Sequence, residues 1–264
     1  YWKNGVRTSL SRAGSDLRSF AYAIYAVGND VYVTGRTDSV YSGGTSSLPC
    51  YWKNGARIML SKLANQDRGS TSSLHASGSD IYIGGWVWDI NKIMAPCYWK
   101  NGTRTDLSRT DNGNIGSVSG IHVSGNDVYV AGYCYNTSNL VIPCYWKNGA
   151  RTDLFRLDST RGGYATSIFA SGNDIYVAGY SHNTSGNAIA CYWKNGIRTD
   201  LNDIRSTAEY TVGNCLDVSG SDVYVAGFHR AANYTRPCYW KNGNRVFLDA
   251  DNDQGYVTGL FITK

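Results

Sequence analysis

Tyr192-Trp193-Lys194-Asn195-Gly196 is one of six copies of the same pentapeptide. The others occupy 1–5, 51–55, 98–102, 145–149 and 239–243, at successive intervals of 50, 47, 47, 47 and 47 residues. A repeat of that length marks a stacked or radial array of supersecondary units. A second motif, Gly-(Asn/Ser)-Asp-(Val/Ile)-Tyr-(Val/Ile)-x-Gly, stands at 28–35, 78–85, 125–132, 172–179 and 220–227. It occurs five times against six, and that inequality bears on how the array closes.

The fourth repeat shows the local logic. Residues 164–171 alternate small and apolar side chains, Gly172-Asn173 turns the chain, and 174–180 alternate again, which predicts strands A and B of a hairpin. After a variable loop, 190–194 form strand C, Asn195-Gly196 a type I′ turn, and 197–201 strand D. Four antiparallel strands in about 47 residues describe a propeller blade, A innermost and D at the rim. The expected fold is therefore all-β, a six-bladed β-propeller. The A strands fall at 20–27, 72–77, 118–124, 165–171, 212–219 and 256–263, crowded with small residues such as Ala23, Ser73, Ser119, Ser167 and Gly213. Trp2, Trp52, Trp99, Trp146, Trp193 and Trp240 suit the wedges between blades, with a ring of sugar-stacking platforms as the functional alternative.

Composition fits this reading. Thirty glycines against four prolines suit many tight turns and unbroken strands, and 42% hydrophobic residues over 264 positions support one domain spanning 1–264. No apolar run approaches the roughly 18 residues of a membrane span. A start without Met is expected of a processed product or a fragment. The net charge of +5 does not point to nucleic acid, because twelve of the 25 basic residues recur at two repeat positions, Lys3 to Lys241 and Arg7 to Arg245, evenly spread instead of gathered in a stripe.

Loops separate by face. The A–B and C–D turns are minimal, whereas B–C and D–A connections are expected to run to roughly ten residues and to gather opposite them. The B–C loops would carry Tyr41, Trp86, Trp88, Tyr133, Tyr135, Tyr180, Phe228 and Tyr234. The D–A loops would carry Asp16, Arg18, Asp67, Arg68, Asp111, Asp158, Arg161, Asp203 and Arg205. Aromatics beside paired charges make a recognition surface or an ordinary solvated rim.

Of seven cysteines, Cys50, Cys97, Cys144, Cys191 and Cys238 share one position, on blades too far apart for disulfides, so buried free thiols are expected; Cys134 is placed to reach Cys144, and Cys215 has no evident partner. Sequons at Asn101, Asn136, Asn183 and Asn233 place three acceptors, Asn136, Asn183 and Asn233, in B–C loops. Asp249, Asp251 and Asp253 ahead of Gly255 suggest Ca²⁺ or an Asx-rich turn, with no other cofactor expected. His75 and His122 share a strand A position with Tyr25, Phe169, Asp217 and Phe261 and read as packing residues. No His-Glu-x-x-His, Gly-x-Ser-x-Gly, Cys-x-x-Cys, Walker or Gly-x-Gly-x-x-Gly pattern is present.

The paired motifs resemble those of secreted bacterial repeat proteins in which Gly-Ser-Asp-Val-Tyr-Val-Ala-Gly-Tyr is followed by Tyr-Trp-Lys-Asn-Gly, and the resemblance covers nearly the whole chain. It implies export, a propeller and no particular reaction. Asp-boxes are missing, and neither Trp-Asp endings nor kelch double glycines recur from repeat to repeat. Three functions are expected in descending order. The first is a non-catalytic extracellular or cell-surface module that binds protein partners or copies of itself and is not an enzyme; next come a lectin with aromatic sites on the long-loop face and a hydrolase or lyase. Closure would join strands C and D from 1–10 to strand A from 256–264 in one blade with no strand B, a gap to be filled by upstream residues or by a strand from another chain.

Overall fold

In the computed structural model the chain is described throughout except at residues 15, 42–43, 63–67, 110–114, 202–208, 232–233, 249–253 and 263–264. The described residues form an all-β fold. β1 (Trp2–Lys3) and β2 (Val6–Arg7) make a two-stranded sheet, and β3 (Asp16–Val27), β4 (Asp30–Tyr41), β5 (Gly44–Lys53) and β6 (Ala56–Met59) make the first of five four-stranded sheets. The second holds β7 (Gly69–Ser77), β8 (Asp80–Trp88), β9 (Met94–Lys100) and β10 (Thr103–Asp106); the third holds β11 (Gly116–Ser124), β12 (Asp127–Tyr135), β13 (Val141–Lys147) and β14 (Ala150–Asp153). The fourth is β15 (Gly163–Ser171), β16 (Asp174–His182), β17 (Ala188–Lys194) and β18 (Ile197–Asp200); the fifth is β19 (Glu209–Ser219), β20 (Asp222–Ala231), β21 (Tyr234–Lys241) and β22 (Asn244–Phe247). The architecture is that of a six-bladed β-propeller, with five complete blades and a sixth represented by β1 and β2. Two compact units divide the chain, Tyr1–Val123 and Ser124–Lys264. No helix among the described residues is long and apolar enough to cross a membrane.

Both sequence motifs meet in one contact made five times. The Asp that opens each second strand accepts a hydrogen bond from the Asn of the C–D turn at 2.7–2.8 Å, in the pairs Asn54–Asp30, Asn101–Asp80, Asn148–Asp127, Asn195–Asp174 and Asn242–Asp222. Its other oxygen takes the neighbouring Lys Nζ at 2.7–2.9 Å, in Lys53, Lys100, Lys147, Lys194 and Lys241. Each Asn also accepts the N–H of the residue after the Asp, at 2.8–2.9 Å. The Lys lies 5.1–5.4 Å from the centroid of the motif's Tyr ring. Every C–D turn has its Asn at φ 49–51° and its Gly at 80–88°, which is the type I′ pattern that Asn-Gly is among the few pairs to adopt readily.

On the next alternation of the same strands, Trp52, Trp99, Trp146, Trp193 and Trp240 are all 0% exposed. Three of the indoles donate to carbonyls 38–41 residues upstream, just past the preceding blade's fourth strand: Trp52 to Ser11 (2.8 Å), Trp99 to Ser61 (2.7 Å) and Trp193 to Phe155 (2.9 Å). Trp52, Trp99 and Trp193 thus each join a blade to the one before it, as expected for wedge filling. Trp2 is the exception at 72% exposed.

The closing glycine of the second motif has a separate cause. A β-bulge on strand A shifts the register at Ala21/Ala23, Thr71/Ser73, Ala165/Ser167 and Gly213/Cys215. That bulge drives a strand A carbonyl onto the facing residue of strand B, so a Cβ on Gly35, Gly179 or Gly227 would lie only 1.8–2.0 Å from Phe20, Tyr164 or Val212 oxygen. Only glycine fits there.

Two expectations are corrected. Strands B and C pair further than anticipated, so complete B–C links shrink to 89–93, 136–140 and 183–187, each closed by a side chain at its first residue. Residues 256–262 form no ladder although the alternation predicts strand A. They run beside β19 instead, where Asn214 Nδ2 donates to Val257 oxygen (2.9 Å) and the Ile262 N–H donates to Asp217 (2.8 Å). A first strand with no second strand to pair with has nothing to complete its hydrogen bonds.

Gly179→Ala is expected to cost about 3 kcal/mol of stability, read as a lower urea midpoint at unchanged slope. The five clasp carboxyls lie below their ordinary 3.8, held there chiefly by the lysine hydrogen bond and at Asp127 chiefly by Asn148. Depressed carboxyls contribute stability that is full above 3.8 and lost as pH falls through their folded values. The stability difference between wild type and Asp174→Asn, measured by urea unfolding across pH, should therefore be largest near neutrality and shrink once the pH drops below 3.8.

Candidate functional site

Five-blade regularity breaks down one residue after the bulge-facing glycine, where strand B carries Arg36, Trp86, Tyr133, Tyr180 or Phe228. Longer pairing puts Trp86, Trp88, Tyr133, Tyr135, Tyr180 and Phe228 on second strands and Tyr234 on β21; Tyr41 ends β4, and Asp16 and Arg18 lie on β3. The expected loop aromatics are thus strand residues, backed by rigid sheet.

Within Ser124–Lys264 these positions make a row of half-buried rings. Tyr135 and Tyr133 lie 6.2 Å apart edge to face, Tyr133 meets Tyr164 at 5.0 Å, and Tyr164 stacks on Tyr180 at 5.2 Å, its cross-strand partner. His182 closes on Tyr180 at 5.9 Å, with Nδ1 2.9 Å from Gly162 oxygen. On the next blade Tyr210 stacks on Phe228 at 6.3 Å, Phe228 meets Tyr256 edge-on at 5.0 Å, and the Arg230 guanidinium covers Tyr210 at 4.7 Å. Tyr256 is 60% exposed and ends the row in solvent.

The phenols communicate. Burial, then the Tyr210, Tyr164 and Tyr133 hydroxyls, push Tyr180 well above the usual phenol value. Burial raises Tyr164 as well, followed by Tyr135 and Tyr133, and Tyr164 shares a hydrogen bond with Tyr135. Five phenols therefore lie close enough to interact. Such a surface offers apolar ring faces with hydroxyl donors and acceptors at their rims.

Tyr164 and Tyr210, with Tyr256, are the members that sequence reading missed. Tyr164 and Tyr210 lie on first strands, where small residues were expected; counting back from Gly172-Asn173 across the hairpin would put Tyr164 opposite Ser181, and the bulge at Ala165/Ser167 is what brings it opposite Tyr180. Tyr234 is outside the row and packs near His229 at 6.2 Å. His229, 4% exposed, lies between Phe247 and the Glu209 carboxylate, and burial pushes its pKa down. In the other unit, Arg68 covers Trp88 at 4.6 Å, and Asp89 takes the Asn91 and Ile93 N–H groups and Arg109 at 2.8 Å.

The sequons do different work from that expected. Asn136 accepts the Ser138 and Leu140 N–H groups and Asn183 that of Asn187, so both cap the B–C turn as Asp89 does. Asn183 is 3% exposed, so it does not project into solvent as a B–C loop acceptor was expected to. Asn233, Asp249, Asp251 and Asp253 lie outside the described residues, as do Asp67, Asp111, Asp203 and Arg205. No group of three or more His, Cys, Asp or Glu able to hold a metal occurs among the described residues. All seven cysteines are free, and Cys144, raised chiefly by burial, hydrogen-bonds Cys134.

No protein-family model matches this sequence, and no curated protein matches it. Solved structures similar to it include a GH43 β-xylosidase/α-arabinofuranosidase from a compost microbial metagenome in complex with xylotriose, 9% identical over 95% of this chain and 97% of that one, with a TM-score of 0.42. A GH43_1 enzyme from Xanthomonas citri complexed with xylotriose is 8% identical over 83% and 82%, TM-score 0.41. A mutant of the Aleuria aurantia lectin in complex with α-methyl-L-fucoside is 11% identical over 86% and 77%, TM-score 0.46. Glycoside hydrolases and a lectin among the similar structures correct two expectations: a non-catalytic module for protein partners or self-assembly, and a protein that is not an enzyme. Missing motifs were weak ground for either, because groups that act together on a propeller come from strands of different blades and leave no contiguous signature.

Proposed function

We propose that this protein binds carbohydrate, with the ring row from Tyr135 through Tyr133, Tyr164 and Tyr180, and onward at Tyr210, Phe228 and Tyr256, as the contact surface. The observation that carries this reading is the rings themselves, in two groups with neighbouring centroids 5.0–6.3 Å apart, on β12, β15, β16, β19 and β20 of three successive blades and at Tyr256. Sugar rings present apolar C–H faces that pack on aromatic faces, while their hydroxyls need partners at the edges. Phenols and the Arg230 guanidinium supply those partners. Rigid placement on strands lowers the ordering cost of binding relative to loops.

A glycan array of the purified protein, followed by titration of the hits, tests the proposal. Tyr256→Ala, at an exposed position, and Tyr180→Ala, at the centre of the row, should each weaken a hit about tenfold or more, equivalent to about 1.4 kcal/mol. Tyr135→Phe, which keeps the ring and loses the hydroxyl, should have a smaller effect. Absence of any glycan hit, or hits untouched by Tyr256→Ala and by Tyr180→Ala in a folded protein, would overturn the reading.

A further inference from the structure

The blade made by β1 and β2 has every part of its third and fourth strands except the partners they bind elsewhere. Its turn is intact, with Asn4 at φ 50° and Gly5 at 80°. Lys3, however, reaches among the described residues only the Asn29 carbonyl at 3.2 Å, where its five counterparts meet a carboxylate at 2.7–2.9 Å. Trp2 is 72% exposed, where its five counterparts are at 0%. Those counterparts sit over the closing glycine of strand B: a Cβ on Gly35 would come within 2.9 Å of Trp52 Cζ3, and one on Gly85 within 3.0 Å of Trp99 Cζ3.

The adjoining blade is uncovered on the matching side. Ile24, paired with Val33, is 56% exposed. Leu74, Ile168 and Leu216, paired with Ile83, Val177 and Val225 at the same position, are 5–9% exposed. Their cover includes second-strand residues of the preceding blade, Tyr32 over Leu74, Tyr129 and Ala131 over Ile168, and Tyr176 and Ala178 over Leu216. Beside Ile24 lies a groove of about 300 Å³ lined by Tyr1, Trp2, Leu10, Ala23, Ile24 and Val33 among others.

We infer that this groove and the free edge of β1 form a docking site for one extended strand of sequence Gly-x-Asp-(Val/Ile)-Tyr-(Val/Ile)-Ala-Gly, supplied from outside these 264 residues. Each requirement of the site names one residue of the occupant. Lys3 and Asn4 call for the Asp, Ile24 and Val33 for the Tyr and the small residue two places on, and Trp2 for the closing Gly. The edge of β1 supplies the backbone pairing. All five copies of that sequence in the chain are already paired within their own blades, so a folded second copy has none to lend.

The test adds a synthetic peptide of sequence Gly-Asn-Asp-Ile-Tyr-Val-Ala-Gly-Tyr to the full chain and follows tryptophan emission, acrylamide quenching and the heat of binding. Saturable binding is expected, with a blue shift and loss of quenching that disappear in Trp2→Phe while the heat persists. A peptide with its aspartate replaced by alanine should bind about tenfold or more weakly, and one with its last glycine replaced by valine should leave Trp2 quenchable. No saturable binding, or equal binding of the aspartate-free and scrambled peptides, would overturn the inference.

Discussion

The constraint on which the structure depends is the register between the second and third strands, and the Asp–Lys–Asn clasp is what sets it. As ion pairs the clasps are weak, since lysine and aspartate side chains are about a third to a half exposed, for instance 44% and 37% for Lys53 and Asp30. Their geometry matters more than their energy. Asn195 both donates to Asp174 and accepts the Ile175 N–H, so a single side chain ties the C–D turn to the start of strand B. A slip by one residue would carry Trp193 from the interior to the opposite face of the sheet.

With register set, the tryptophans supply the cohesion. A fully buried indole that also donates to a carbonyl of the preceding blade contributes through apolar area and through a satisfied polar group. Blade packing is thus written into a position of the third strand and completed by the blade before it. Glycine at the bulge lets the indole lie against the sheet, which is why the second motif ends where it does. The two-stranded blade shows the dependence in reverse: Trp2 has the right neighbours in sequence and no second strand to lie on.

Regularity of this kind frees the remaining positions. The residue after each bulge glycine contributes nothing to clasp or wedge, and it varies among Arg, Trp, Tyr and Phe. In Ser124–Lys264 three of these aromatics recruit partners from first strands and from 256, giving a surface whose shape is held by sheet hydrogen bonds rather than by loop conformation. The short B–C turns of that unit, capped by Asn136 and Asn183, keep the strands paired up to that surface.

Blade number, strand order, turn type and the burial of five tryptophans were legible in the sequence, because each depends on spacing within 50 residues that the repeat displays several times over. Meetings between blades were not legible. Tyr164 reaches both Tyr133 on the preceding blade and Tyr180 across its own hairpin, and that depends on a bulge that shifts register at Ala165/Ser167. Nothing periodic marks such a contact. Asn183 reads as a glycan acceptor from three consecutive letters, yet pairing of β16 with β17 up to His182 and Ala188 buries it as a turn cap. Short-range pattern determined the blades of this protein, whereas tertiary packing decided which variable residues share a surface, since side chains from separate strands meet only once register, bulge and blade contact are all in place.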